Sequence, residues 1–167
     1  MKKRTKISFL ATLVCCVSLA VLLSSCFGAP NEEEDAAKAN RGYMSQVNTV
    51  MEELNTNLES FSTAVSESDL VGMKTQADKA LLALDDLEAL EAPESLKEVQ
   101  QNYVDGSRAL QSALNDYVEL YSELAIATQA DPFDYSTYAE RLESIQKSYD
   151  EGIEKIKEAD KKANELP

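Results

Sequence analysis

Residues 43–65 read YMSQVNTVMEELNTNLESFSTAV, and the spacing of their apolar side chains decides the fold. Tyr43, Val47, Val50, Leu54, Leu58, Phe61 and Val65 follow one another at intervals of 4, 3, 4, 4, 3 and 4 residues. A helix turning once every ~3.6 residues returns to one face at those intervals, whereas a strand would need strict alternation. The stripe predicts a first helix over about 35–66, with one apolar face seeking cover.

Toward the C-terminus the same pattern recurs three times. Ser66-Glu67-Ser68-Asp69 supplies side chains suited to a helix N-cap, and Leu70, Met73, Ala77, Leu81, Leu84 and Leu87 form a second stripe. Ala92-Pro93 closes it, because proline disfavours helical geometry in the residue before it and suits the start of the next helix. Leu96, Val99, Tyr103, Gly106, Leu110, Leu114, Tyr117, Tyr121 and Leu124 mark a third helix, expected to reach about Ala130 before Asp131-Pro132. Asp134, Ser136 and Thr137 then offer caps to a fourth, carrying Tyr138, Leu142, Ile145, Tyr149, Ile153 and Ile156. Four amphipathic helices with short connections predict an all-α, up-down-up-down four-helix bundle over residues 36–167.

Toward the N-terminus the chain changes character. Residues 26–35, with Gly28, Pro30 and the acid run Glu32-Glu33-Glu34-Asp35, read as a tether. Before them stand a basic start (Lys2, Lys3, Arg4, Lys6), an apolar run over 7–23, and small residues ahead of Cys26. That layout is a secretory signal over residues 1–25, too short and too interrupted by Ser8, Thr12 and Ser18 to favour a spanning helix. Leu23-Ser24-Ser25-Cys26 resembles the lipobox of bacterial lipoproteins. The resemblance implies cleavage before Cys26, a diacylglyceryl group on its thiol, and a lipid-anchored domain on the extracytoplasmic face of the cell membrane. Two chains of the palmitate kind hold a protein stably where one does so only marginally. Leu90-Glu91-Ala92-Pro93, then Leu96 and Tyr103 in a long following helix, are similar to the pattern of small helical envelope lipoproteins; that resemblance implies no functional residues.

Charge narrows the partners. Residues 1–25 hold four of the 16 basic residues and none of the 30 acidic ones, so the remainder (12 basic against 30 acidic) carries −18. No basic patch exists to displace counterions from phosphates, which disfavours nucleic acid. Anionic headgroups repel the domain, leaving the acyl group on Cys26 as its hold on the membrane.

The chain has no His and no Trp. Histidine-based nucleophilic triads, His-bearing zinc sites and the Glu-x-x-His motif of di-iron bundles are therefore excluded. No glycine-rich phosphate loop or calcium loop is present, and no carboxylate falls at an expected core position, so the sequence predicts neither enzyme, metal centre nor cofactor.

Two groups of residues invite a functional reading. No Lys or Arg lies between Arg41 and Lys74, or between Arg108 and Arg141. In an up-down-up-down bundle both gaps flank the end far from Cys26, where Glu67, Asp69, Asp131, Phe133, Asp134 and Tyr135 are the candidate partner surface for a basic envelope protein. A solvated acidic face is the plain alternative. The second group is Tyr43, Tyr103, Gly106, Tyr149 and Gly152, in which Val99-Gln100-x-x-Tyr103-x-x-Gly106 is echoed by Ile145-Gln146-x-x-Tyr149-x-x-Gly152. Glycine weakens a helix interior by up to ~1 kcal/mol against alanine, so its presence asks for a reason. A neighbouring tyrosine ring packed into the notch is one; a pocket for a small ligand is the other. The leading expectation is a membrane-anchored, non-enzymatic interaction or structural module, and the second is a small-ligand or cation-binding lipoprotein.

Overall fold

Four helices carry the chain in the computed structural model, which describes residues 32–165: α1 (Glu32–Glu67), α2 (Leu70–Ala89), α3 (Lys97–Ile126) and α4 (Tyr138–Glu165). A 3₁₀ turn, Glu94–Leu96, precedes α3, and no strand occurs among the described residues. The expected signal segment, residues 1–25, and Cys26 lie outside the described residues. Among those that are described, no helix is long and apolar enough to cross a membrane.

Contacts between the helices set their directions. Gly106 faces Gly152, Tyr103 bonds to Asp160 and Glu123 pairs with Arg141, so numbers rise along α3 as they fall along α4. Arg108–Glu88 and Gln111–Asp85 give α2 and α3 the same antiparallel relation. Asn40 meets Ser95 and Phe61 meets Tyr117, which makes α1 parallel to α3. The result is an all-α four-helix bundle with up-down-up-down topology. Close backbone packing runs from α1 to α2, α2 to α3 and α3 to α4; α4 stays farther from α1.

The expected stripes form the core. Tyr43, Val47, Leu54, Leu58 and Phe61 of α1 are buried, as are Met73, Ala77, Leu84 and Leu87 of α2. From α3 come Val99, Tyr103, Leu110, Leu114 and Tyr117, and from α4 Ile145, Ile156 and Ala159. Met51, Ala80, Ala83, Ala113 and Leu120 are buried as well, although they fall outside the stripes. Each helix here covers parts of two neighbours, so its buried face is wider than one line of residues. Tyr138, Leu142, Tyr149 and Ile153 of α4 are only half-buried, in keeping with its greater distance from α1.

The structure corrects the expected boundaries in three places. Glu32-Glu33-Glu34-Asp35, read as an extended tether, forms the first turn of α1. Carboxylates at a helix N-terminus face the positive end of its dipole, which offsets their mutual repulsion. The α1–α2 turn uses no N-cap side chain: Asp69 makes no side-chain cap bond. Instead Ser68 takes a left-handed conformation (φ 59), its N–H donates to the Val65 carbonyl, and the Asp69 N–H donates to the Ala64 carbonyl at 2.9 Å. That is a Schellman closure, with serine where glycine is usual. Finally, α3 ends at Ile126 and does not reach Ala130. Thr128 and Asp131 close a small loop there: the Thr128 N–H donates to the Asp131 carbonyl and the Asp131 N–H to Thr128 Oγ1.

Candidate functional site

The α1–α2 turn and the α3–α4 loop lie at the same end of the bundle, opposite the start of α1. At ~1.5 Å per residue, the 36-residue α1 separates the two ends by ~54 Å. All six residues of the expected partner surface are at this far end, but not in equivalent settings. Glu67, Asp69, Asp131, Asp134 and Tyr135 are exposed, whereas Phe133 is half-buried. Phe133 packs edge-on against Tyr135 (ring centroids 4.9 Å apart) and Tyr138 (6.0 Å), tying the loop to the core. Farther in, Tyr138 neighbours Tyr121, Tyr121 stacks on Tyr117 at 4.6 Å, and Tyr117 meets Phe61. The loop is thus held by an aromatic chain that leaves Tyr135, 69% exposed, at its outer end.

Val71 and Ile126 were not among the sequence candidates. Val71 is 75% and Ile126 77% exposed. With Tyr135 they are three of the four large apolar side chains most exposed among the described residues; Leu82, on the flank of α2, is the fourth. Extending the Arg108–Glu88 and Gln111–Asp85 register to the end of the pair brings Val71 level with Ile126. In the sequence both were apolar positions off the stripe, a signal too common on protein surfaces to separate from the background.

The far end is also less uncompensated than the sequence suggests. Arg141 grips both carboxylate oxygens of Glu123 from its two terminal nitrogens. This pairing holds the Glu123 carboxyl below the usual carboxylate range. Arg141 is thereby occupied, and Glu67, Asp69, Asp131 and Asp134 form no salt bridge among the described residues. Asp134 accepts from the Ser136 N–H at 2.8 Å, which lowers its carboxyl further. Among the described residues no group of three acidic or thiol side chains converges as metal ligands would.

The second group does not form one pocket. A Cβ added at Gly106 would lie 2.9 Å from the Gly152 carbonyl oxygen and 2.9 Å from Ile156 Cγ1. One added at Gly152 would lie 2.9 Å from the Gly106 carbonyl oxygen and 2.7 Å from Leu110 Cγ. The two glycines therefore fill each other's notches, backbone against backbone, where the sequence suggested a tyrosine ring or a ligand. The antiparallel register carries the tyrosines to opposite sides of this crossing: Tyr103 lies toward Asp160, and Tyr149 beyond Leu110.

Tyr103 Oη donates to Asp160 Oδ1 at 2.6 Å. Burial pushes the Asp160 carboxyl up, and the tyrosine's bond partly restores it. Tyr43, nearby on α1, has a buried hydroxyl with no partner among the described residues, raised by burial to about 12. With Asn40–Ser95, Glu98–Lys162 and the Gln100 side chain on the Leu90 carbonyl, the Tyr103–Asp160 bond cross-links the end near the start of α1. Both ends carry polar bonds between helices, Arg141–Glu123 at the far one, but only the far end also exposes large apolar side chains beside acids. The chain matches no family model, no curated protein and no solved structure with which it was compared, so these residues alone carry its functional reading.

Proposed function

We propose that this chain is a lipoprotein held by a diacylglyceryl group on Cys26 at the extracytoplasmic face of a bacterial membrane. It acts without catalysis, as a rod that offers its far end to another protein. The observation that carries the reading is that Val71, Ile126 and Tyr135, three of the four most exposed large apolar side chains among the described residues, all lie at the end opposite the start of α1. Tyr135 is of the residue type enriched at interface centres, and Val71 and Ile126 add apolar area beside it for a partner to cover. The polar bonds at the near end suit a base that must transmit position, and the acyl chains supply attachment without a spanning helix.

Crosslinking in living cells tests it. A photo-reactive phenylalanine analogue in place of Tyr135 should trap one discrete protein. The same analogue in place of Glu91, exposed at the opposite end, should not. Equal trapping from both positions, or none from Tyr135, would contradict the reading.

A further inference from the structure

Val71, Ile126 and Tyr135 lie at the same end as Glu67, Asp69, Asp131 and Asp134; of the two cations that flank this end among the described residues, Arg141 is taken by Glu123 and Lys74 is exposed one turn along α2 from Val71. We infer that the far end docks a cationic polypeptide segment bearing apolar side chains, with Tyr135, Ile126 and Val71 as its dry contacts and the four free carboxylates as its ionic rim. The inference rests on the far-end reading given above and names the chemistry of the partner.

Charge complementarity selects the occupant. No Lys or Arg occurs in residues 42–73 or 109–140; with Arg141 paired, the flanking Lys74 is outnumbered by the four carboxylates, so a cationic segment meets net negative charge there. Anionic headgroups and nucleic acid meet repulsion on the same surface. The carboxylates are spread across a turn and a loop and do not converge, so a single small cation would not gather them. A polypeptide with spaced cations meets each in turn. The apolar side chains add what charge alone lacks, an attraction that salt does not screen, because burial of apolar area is indifferent to ionic strength over distances where carboxylates are shielded. Rim charges of this sort chiefly speed encounter, and buried aromatic anchors chiefly slow departure.

Binding to the protein purified from its membrane into phosphatidylcholine nanodiscs tests this, with empty nanodiscs as the blank. Two synthetic peptides of equal length and lysine content serve as probes, one with phenylalanines and one with serines between the lysines. The phenylalanine peptide should bind about tenfold more tightly, the loss expected when a hot-spot contact is removed. Replacing Val71, Ile126 and Tyr135 together by Ser should erase that difference. Changing Glu67→Gln, Asp69→Asn, Asp131→Asn and Asp134→Asn should flatten the salt dependence for both peptides. Changing Glu143→Gln, Asp150→Asn, Glu151→Gln and Glu154→Gln on α4 should leave both unaltered.

Equal binding of the two peptides, or equal weakening by the α4 set, would mean general attraction to an acidic protein and would overturn the inference. Displacement of the peptide by calcium below millimolar concentration would overturn it in favour of a cation site. If the crosslink from Tyr135 traps a protein with no cationic segment, this inference falls and the far-end reading stands. Without any crosslink from Tyr135, both fall.

Discussion

Ser68 holds a left-handed conformation that costs a non-glycine residue about 1 kcal/mol. Ser68→Gly relieves it and should raise stability by ~0.5–1 kcal/mol, seen as a higher urea midpoint at unchanged slope. Two other glycine positions behave oppositely. Gly42 is exposed with nothing within 4 Å of a built Cβ, so Gly42→Ala should gain the helix-propensity difference of ~0.5–1 kcal/mol. Gly106→Ala gains the same propensity but drives a methyl to within 2.9 Å of the α4 backbone, and overpacking of ~1–3 kcal/mol should outweigh it. Thermal melts of the two alanine variants that moved the same way would contradict the crossing. The echoed Tyr-x-x-Gly motifs made Gly106 and its counterpart Gly152 conspicuous in the sequence. What each one faced was not legible, because the partner of a notch is set by the register between two helices. Tyr43 carries the pH prediction. Burial raises its hydroxyl from 10.0 to about 12, and raises Tyr103 and Tyr117 in the same direction. The folded state then holds these protons more tightly than the unfolded chain does. The contribution of these tyrosines to stability should be constant below pH ~10 and fall as pH rises through the tyrosine range. Tyr43→Phe should flatten part of that fall; since its hydroxyl lacks a partner, the change should also be neutral or mildly stabilising at pH 7. A melting curve against pH indistinguishable from wild type would remove Tyr43 from the explanation.

Among the elements, the α3–α4 loop combines two roles that the sequence joined in one guess. Phe133 and Tyr135 both looked like contact residues, being aromatics in a loop. The structure divides them: Phe133 packs on Tyr138, and Tyr135 faces out. Phe133→Ala should therefore cost ~1–2 kcal/mol, below the ~3–5 of a fully buried phenylalanine. Tyr135→Ala should stay within ~0.5 kcal/mol, as surface changes do. Chemical denaturation of both variants checks the division. The helices themselves were legible from periodicity, because an apolar face must be covered and its repeat names the element. Their ends were less so. At α1 the acid run carries the same letters as a solvated tether, and only its place at a helix N-terminus makes it favourable. At α3 the reciprocal Thr128–Asp131 bonds stop the helix before Pro132 can.

For the whole molecule, the two ends differ in kind. Near the start of α1, Tyr103–Asp160, Asn40–Ser95 and Glu98–Lys162 join the helices; the other end has Arg141–Glu123 and, in addition, three exposed apolar side chains. The up-down-up-down order, readable from short connections, is what places the two basic-free stretches together, so the acidic part of the candidate surface was visible in the sequence. Its apolar part was not, since an exposed valine or isoleucine acquires meaning only beside its neighbours in space. The proposed role of the far end depends above all on which end is fastened. Mass analysis of the N-terminal peptide, on protein taken from its native host, decides this. The chain should begin at Cys26 with a diacylglyceryl group on the sulfur; residues 1–25 still attached, or a bare thiol at position 26, would contradict the account.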